Sequence, residues 1–600
     1  MSNYGEGEQM NPESSQKKAP GMWAMLWPKI KPYRWLVLIA IIFNAAHGIA
    51  ISYQTLMTKY LIDDVVLKQG IAMSQRIRSL TLLMTAYLLI SLIGRMAVWH
   101  IGFRFFTYVR ERVLMAMRLN FFSHVNHLCL RFHRSHKSGE LFNYLFGSTL
   151  GQIQNYFQQF TLQVPGAIFT LIWTIVWVAR WDWIMTGVLC ISVLTTVIVL
   201  RSSRRIMHKI TKEFQQTETA VSGYVADLLR GTRDVKLFAI EEQIQEEFAE
   251  QVDMIRIKSY EREVKTHLQW MKQESVGYFC FALLCIMGTF RYLHHQITIG
   301  EFQAYLASFM TLQWPLQTLF NVGTQKGGAQ ASFERLEKVM QTASSTPDPV
   351  KPMQPVPASA SIAFKKVSFK YEDALVLKDL DIMIPYGQHV ALVGPSGAGK
   401  TTLVQLILRL YDAVDGSLLM GDLDIKQFKG SDLRRRFGVV PQDPFIFSTT
   451  IRENLQIVSP EAKEQAIVDA CRHANAWEFI DPLPRKLDTS VAEGGATLSG
   501  GQRQRLAIAR ALLANPSYFI FDEATSALDT LSERLIQNSI ETAMRGRTAL
   551  IIAHRLATVK NCDRILVMEN GAIAQDGTYA ELTQKPGLFA DLVAGQQLRA

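Results

Sequence analysis

GPSGAGKT, Gly394 to Thr401, is the stretch on which the reading of the chain turns. It fits the pattern G-x-x-x-x-G-K-[ST]. The apolar run Val390-Ala391-Leu392-Val393 before it predicts a buried parallel strand, and the apolar spacing of Leu403 to Leu410 after it predicts a helix. Strand, loop and helix in that order make a phosphate cradle. Gly394, Gly397 and Gly399 let backbone N–H groups turn inward, Pro395, Ser396, Ala398 and Thr402 complete the loop, and the helix N-terminus adds partial positive charge. Lys400 is the candidate to reach the β- and γ-phosphates of a nucleotide, and Thr401 the candidate to hold Mg2+.

The rest of the chain is not uniform. At 600 residues it is long enough for several domains. Ten of its eleven Trp precede residue 342, and long apolar runs crowd the same half, so the chain divides into a membrane half and a soluble half. A net charge of +10 suits a surface of anionic lipid head groups. Nucleic acid is the other usual partner of a basic protein, but no base-reading motif accompanies the charge. The six Cys are scattered without a C-x-x-C pair, which argues against disulfide and zinc frameworks. The first twenty residues are polar, so no cleavable signal peptide is expected.

Residues 1–20 read as a disordered tail, and Trp23, Trp27, Tyr33 and Trp35 among Lys29, Lys31 and Arg34 suit a membrane interface. Six segments are then long and apolar enough to cross a bilayer: 36–56, 80–102, 153–179, 183–200, 275–293 and 302–323. The third and fourth meet at the break Arg180 to Asp182, and the fifth and sixth at Arg291 to Gly300, so both pairs read as hairpins. Basic residues cluster on the N-terminal flank and after segments two, four and six, which puts those regions and both termini in the cytoplasm. Residues 104–150 and 201–272 are too long for loops and predict helices that run past the bilayer and turn back. Ser138-Gly139-Glu140-Leu141 and Gly231-Thr232-Arg233-Asp234 are the expected sites of short transverse helices that touch the soluble half. Ionisable and amide side chains inside apolar runs are costly and often functional. Arg95, Asn44, Gln313 and Gln317 are therefore candidate substrate contacts, with helix-to-helix hydrogen bonding and snorkelling as the plainer readings. Five Pro between Ala343 and Ser361 mark a linker.

In the soluble half, Ser361 to Lys370 reads as an edge strand, and Tyr371 just after it stands about twenty residues before the phosphate loop, where an aromatic could stack on adenine. Tyr518-Phe519-Ile520-Phe521-Asp522-Glu523 is an apolar strand ending in two acids. Asp522 suits Mg2+ held through water, and Glu523 suits orienting and polarising an attacking water.

Leu498-Ser499-Gly500-Gly501-Gln502, LSGGQ, together with the phosphate loop resembles the signature of ATP-binding cassette proteins. Tyr371 resembles that family's A-loop aromatic, Gln442 in VVPQDPFIF its Q-loop, Asp529 in SALD its D-loop, and His554 in IIAHR its switch histidine. Thr489 to Gly495, TSVAEGG with Glu493, resembles the X-loop of exporters, with Ala492 where Gly is more usual. The preceding half resembles the exporter-type membrane domain of bacterial lipid flippases and multidrug exporters, and the resemblance covers about residues 20–595. It implies a multi-domain membrane protein: tail 1–20, an all-α six-helix domain over 21–341, linker 342–360, and an α/β P-loop ATPase over 361–600.

The resemblance also implies a mechanism. Two chains pair head to tail, and ATP with Mg2+ lies between the phosphate loop of one and Ser499, Gly500, Gly501 and Gln502 of the other. Thr401, Gln442 and Asp522 face Mg2+; Lys400, Glu523 and His554 serve hydrolysis; Asp529 and Glu493 serve dimer contact and coupling. An intact set of motifs favours a second copy of the same chain as partner, in a bacterial inner membrane, exporting or flipping an amphipathic lipid-like, drug-like or peptide substrate. Import of a metal–siderophore complex, a soluble cassette acting on nucleic acid or ribosomes, and a cassette-gated channel or regulatory subunit are the alternatives.

Overall fold

The structure is a computed structural model that describes residues 22–597 except 71, 137, 354, 493, 494, 496, 523–529, 554 and 555. The tail expected over 1–20 lies outside the described residues. By contacts the chain forms two units. One holds the chain up to Asn126 with Ser138–Gln341; the other joins His127–Lys137 to the chain from Thr342 onward.

Among its described residues the first unit has helices and no strands. Its main helices are Arg34–Tyr60, Met73–Leu89, Val98–His127, Ser148–Gln158, Val164–Val178, Trp183–Arg230, Glu241–Leu293 and Ile299–Gln341. Wide π-helical turns at Leu61–Val66, Ile90–Ala97 and Gln159–Gln163 run on from three of them. Among the described residues five helical stretches are long and apolar enough to cross a membrane, and they match the first five expected segments, the third ending at Val178 rather than 179. The sixth segment lies in Ile299–Gln341, which is long but diluted by Gln303, Gln313, Gln317 and Asn321, and it is not among the five. The 48-residue helix Trp183–Arg230 is about 72 Å long at ~1.5 Å per residue.

Small and polar residues set how these helices pack. A Cβ at Gly48 would stand 2.5 Å from the carbonyl oxygen of Gly166, so only glycine permits this approach. One turn on, Thr174 Oγ1 donates to Ser52 Oγ at 2.8 Å, with both residues buried. At the break between the third and fourth segments, Asp182 caps Trp183–Arg230 by accepting from the Met185 N–H at 2.8 Å, and its other oxygen pairs with Arg291. Tyr305 Oη lies 2.8 Å from the carbonyl oxygens of both Val178 and Asp182 and closes this corner against the last helix.

The short helix that joins the second unit is not at Ser138–Leu141. It is Leu130–Ser135, flanked by extended Cys129 and His136, and it belongs to the second unit. Ser138 and Gly139, which suggest a break by residue type, open the helix Ser138–Phe146 with Glu140 in its first turn. In the other excursion Gly231 ends the long helix and Thr232–Phe238 comes after it, stopped by Ala239 at φ 52°.

Among the described residues the second unit has ten strands: β1 Ile362–Lys370, β2 Leu375–Ile384, β3 His389–Val393, β4 Asp415–Met420, β5 Leu423–Asp424, β6 Phe437–Val440, β7 Tyr518–Asp522, β8 Thr548–Ile552, β9 Arg564–Glu569 and β10 Ala572–Gly577. They form an antiparallel sheet β2-β1-β4-β5 and a mostly parallel sheet β10-β9-β3-β8-β7-β6. The strand expected at an edge, β1, lies between β2 and β4, because its inward residues Ile362, Phe364 and Val367 pack into the buried cluster beneath that sheet. The described residues between Thr342 and Ser361 lack regular structure but are tied down. Arg409 donates to the Pro347 carbonyl at 2.6 Å, Asp348 accepts from the Gly430 N–H at 2.8 Å, and the Met353 N–H donates to the Gln427 carbonyl at 2.9 Å.

Candidate nucleotide site

The register of the parallel sheet assembles the site. Leu392 of β3 pairs with Ile552 of β8, Ile552 with Asp522 of β7, and Phe521 of β7 with Val440 of β6. Four strands therefore end together, and the residues just beyond their C-terminal ends share one edge of the sheet. Gly394–Thr401 comes after β3, Gln442 lies two residues beyond β6, and Asp522 closes β7. Glu523 comes directly after Asp522, and His554 two residues after Ile552; both lie outside the described residues, as do Asp529 and Glu493.

The loop has the shape a phosphate cradle needs. Gly394, Gly397 and Gly399 have φ of 149°, 82° and 100°, which disfavour any residue with a Cβ. A Cβ at Gly394 would also clash with the Met568 carbonyl oxygen, while at Gly397 it would point into open space. Gly399 precedes the helix Lys400–Ile407, which starts three residues earlier than the apolar spacing predicts and ends before Arg409 at φ 50°. Lys400 is buried and its Nζ donates to the carbonyl oxygens of Gly394 at 2.7 Å and Pro395 at 2.9 Å. An ammonium folded into a ring of glycine amides fits a polyphosphate. Ser396 is exposed, whereas Ala398 and Thr402 are buried.

Tyr371 is half-buried beside this helix. Its hydroxyl donates to Gln405 Oε1 at 2.8 Å and bonds Thr402 Oγ1 at 3.0 Å, and the rings of Phe369 and Tyr411 stand edge-on to it. Ser499 and Gln502 are engaged with each other. Ser499 Oγ accepts from the Gln502 N–H at 3.2 Å, and Gln502 Oε1 accepts from the Ser499 N–H at 2.8 Å, a reciprocal cap on the helix Gly500–Leu513. Two residues of that helix escape motif reading. Gln504 Nε2 donates to the Pro441 carbonyl at 3.0 Å, next to Gln442, and Arg510 donates to the carbonyls of Asn454 at 3.0 Å and Phe445 at 3.1 Å. The signature helix is thus fastened to the segment just beyond β6. No local pattern reveals these contacts, since each joins residues more than fifty positions apart.

In the helical unit, Gln317 Oε1 accepts from Gln273 Nε2 at 3.1 Å, and Gln317 Nε2 donates to Asn321 Oδ1 at 3.2 Å, a polar ladder across two helices. Gln313, one turn earlier, is half-buried. Asn44 is 2% exposed, in the seam where a Cβ at Gly166 would run into its Oδ1. Arg95 lies in the wide turn Ile90–Ala97, and its side chain lies outside the described residues.

Comparison with known proteins matches residues 37–316 to the ABC transporter transmembrane region and 377–526 to the ABC transporter family model. The ATP-dependent lipid A-core flippase of Chromohalobacter salexigens is 32% identical over 587 residues, 95% of this chain and 97% of that protein. The chain belongs to the ABC transporter family. YgaD of Bacillus subtilis, assigned by name to multidrug export, is 30% identical across 95% of this chain and 98% of its own length. A bacterial Atm1-family ABC exporter solved with ATP bound superposes with a TM-score of 0.83 at 26% identity, covering 96% of this chain and 99% of that one. This ABC transporter is therefore a multi-pass membrane protein of the exporter fold, and it binds ATP and couples its hydrolysis to transport. Exporters of this kind, with one membrane domain and one ATPase domain per chain, typically act as dimers. The soluble-cassette reading fails against the membrane-domain match, and the importer reading is not favoured by relatives that export or flip.

Proposed function

We propose that two copies of this chain form an exporter or flippase for an amphipathic, lipid-like or drug-like molecule in a bacterial inner membrane, with both termini cytoplasmic. The observation that carries the ATPase part is the common edge formed by the ends of β3, β6, β7 and β8. On that edge Lys400 and the loop amides hold the β- and γ-phosphates, and Tyr371 stacks on the adenine. Thr401, Gln442 and Asp522 would hold Mg2+, which supplies positive charge against the phosphate oxygens. Glu523 orients and polarises the attacking water, and His554 contacts the γ-phosphate. Phosphoryl transfer needs mainly positioning and electrostatic stabilisation, and this residue set supplies both. The partner's signature segment completes the site through the amides at Gly500 and Gly501, since Ser499 and Gln502 already cap their own helix. ATP binds the closed ATPase pair better than the open pair, and that difference in affinity drives the conformational change. The fused membrane domain and the flippase relative support the substrate class, and the Gln273–Gln317–Asn321 ladder offers amide groups for a polar head.

Glu523→Gln tests the assignment in proteoliposomes. The variant is expected to bind ATP normally and to lose hydrolysis by about a hundredfold or more, as for removal of a general base. ATP-dependent movement of a fluorescent phospholipid or a cationic dye out of the cytoplasmic leaflet should be lost with it. Retained hydrolysis would remove Glu523 from its role, and ATP-driven movement in the opposite direction would reverse the proposed polarity.

A further inference from the structure

The segment His127–Lys137 lies in the chain between the helices Val98–His127 and Ser138–Phe146, both of the membrane half, yet it packs within the ATPase unit. Phe132 anchors it by burial, and Leu130 packs on the same apolar cluster as Tyr371. Its helix Leu130–Ser135 aims two guanidinium groups at one residue. Arg131 Nη2 donates to the main-chain oxygen of Tyr371. The Arg134 guanidinium lies over the Tyr371 ring, 5.7 Å from its centroid, and 5.9 Å from that of Tyr411. The hydroxyl of the same Tyr371 bonds Thr402 and Gln405 on the helix that opens at the phosphate loop. A continuous set of contacts therefore runs from the helix Leu130–Ser135 through one aromatic ring to the helix that opens at the phosphate loop.

We propose that Arg134 is a positioning residue that reads the nucleotide base: its guanidinium and the adenine compete for the Tyr371 ring, so base binding loosens the segment His127–Lys137. The inference rests on Tyr371 stacking the adenine. The magnitudes allow the exchange. A base stacked on an aromatic side chain contributes more than a cation over an exposed ring does. The base wins the ring, and the lost cation contact subtracts from its apparent affinity. By reciprocity, whatever draws the segment away from the ATPase unit raises affinity for the base. Phosphates alone do not touch the ring, so this signal requires the base.

The test uses the full chain in lipid nanodiscs and two ligands, Mg-ATP and Mg-tripolyphosphate, which carries the charge without a base. Arg134→Ala should tighten ATP binding roughly two- to fivefold, the range one cation–π contact supplies, and leave tripolyphosphate affinity unchanged. Arg134→Lys, which keeps the charge, should fall between wild type and Arg134→Ala. In wild type, ATP but not tripolyphosphate should speed amide hydrogen exchange of peptides covering 127–137, and in Arg134→Ala that exchange should be fast before ATP is added. The proposal is overturned if Arg134→Ala leaves ATP affinity unaltered or weakens it, or if both ligands change the exchange equally. Tyr371→Ala separates the two layers. If it weakens ATP binding while the Arg134 results fail, adenine stacking stands and the competition does not. If it leaves ATP affinity unaltered, the stacking assignment itself fails and the competition with it.

Discussion

The two units differ in what they expose and in what fastens their elements together. Along the helix Met73–Leu89, Leu82 is 70% exposed and Ile77, Leu88 and Leu89 are exposed as well, whereas Phe521 in β7 is fully buried. Polar side chains show the reverse emphasis. Ser52, Thr170 and Thr174 are buried in the seam between helices of the first unit, and Thr170 and Thr174 donate there to the Gly166 carbonyl and Ser52. In the second unit the buried positions are mostly apolar, grouped in two clusters on the faces of the sheets. The difference is one of solvent. Where water surrounds the fold, removing apolar area from it stabilises by ~25 cal/mol per Å2. Where hydrocarbon surrounds it, a buried Leu gains little, and close backbone approach and hydrogen bonds decide the packing.

The largest effect expected from this contrast is a pair of truncations. Phe521→Ala should destabilise the ATPase unit by ~3–5 kcal/mol, the usual cost of an emptied aromatic site. Leu82→Ala, on a face turned away from its own unit, should stay within ~0.5 kcal/mol. Calorimetry of the nanodisc-embedded protein measures both. A cost of several kcal/mol for Leu82→Ala would break the comparison, because it would mean that protein rather than lipid covers that face.

A smaller effect sharpens the helical side of the contrast. Gly48→Val introduces a Cβ where the Gly166 carbonyl oxygen stands 2.5 Å away, so the two helices must separate. A loss of about 2 kcal/mol is expected, the scale of overpacking in a tight interior. Ile42→Val in the same helix, at an exposed position, serves as the control and should be nearly silent. Equal effects from the two would mean that bulk hydropathy, not the small-residue seam, holds these helices together.

How much of the molecule is legible in its residues runs along the same line. The phosphate loop, the acid-ended strand β7 and the polar break at Asp182 are local patterns whose chemistry is written in neighbouring positions, and sequence reasoning reaches them. The helix start at Lys400 differs from the expected Leu403 because loop geometry at Gly399, not apolar spacing, sets it. The position of β1 inside its sheet depends on β4, some fifty residues away, and strand alternation cannot report a second neighbour. Ser499 and Gln502 stand out as ligand contacts by motif, yet S-x-x-Q is also a capping box, and the structure shows the capping contacts. Residue type misplaces the short helix that joins the second unit because Ser-Gly attracts attention as a break, while the real helix, LRFHRS, has no breaker at either end. Arg134 over Tyr371 joins positions 237 apart in the chain, and no spacing rule relates them.

The smallest effect concerns thiols, and it separates the two solvents without perturbing either unit. Burial pushes Cys471 and Cys562 up to about 12. Burial also pushes the Cys129 thiol up, but hydrogen bonds with Ser345 and the backbone of Phe132 and Arg131 outweigh it, leaving that thiol below its ordinary value. The thiolate is the reactive form, so a pKa near 12 leaves a fraction on the order of 10⁻⁵ at pH 7. A charged maleimide at pH 7 should therefore label Cys129 at least about tenfold faster than Cys471 or Cys562, read by peptide mass mapping. Raising the pH from 6 to 8 should increase Cys129 labelling, with Cys471 and Cys562 still silent. Cys280 and Cys285, in the helix Glu241–Leu293, should resist the charged reagent for a different reason, since it does not enter hydrocarbon. Urea then discriminates the two kinds of protection. Unfolding the ATPase unit in urea should expose Cys471 and Cys562 together, because they lie in one buried cluster, while Cys280 and Cys285 stay unlabelled as long as the bilayer is intact. Labelling of all four at the same urea concentration would mean that the helical unit owes its protection to the ATPase fold and not to lipid, and the contrast between the two units would collapse.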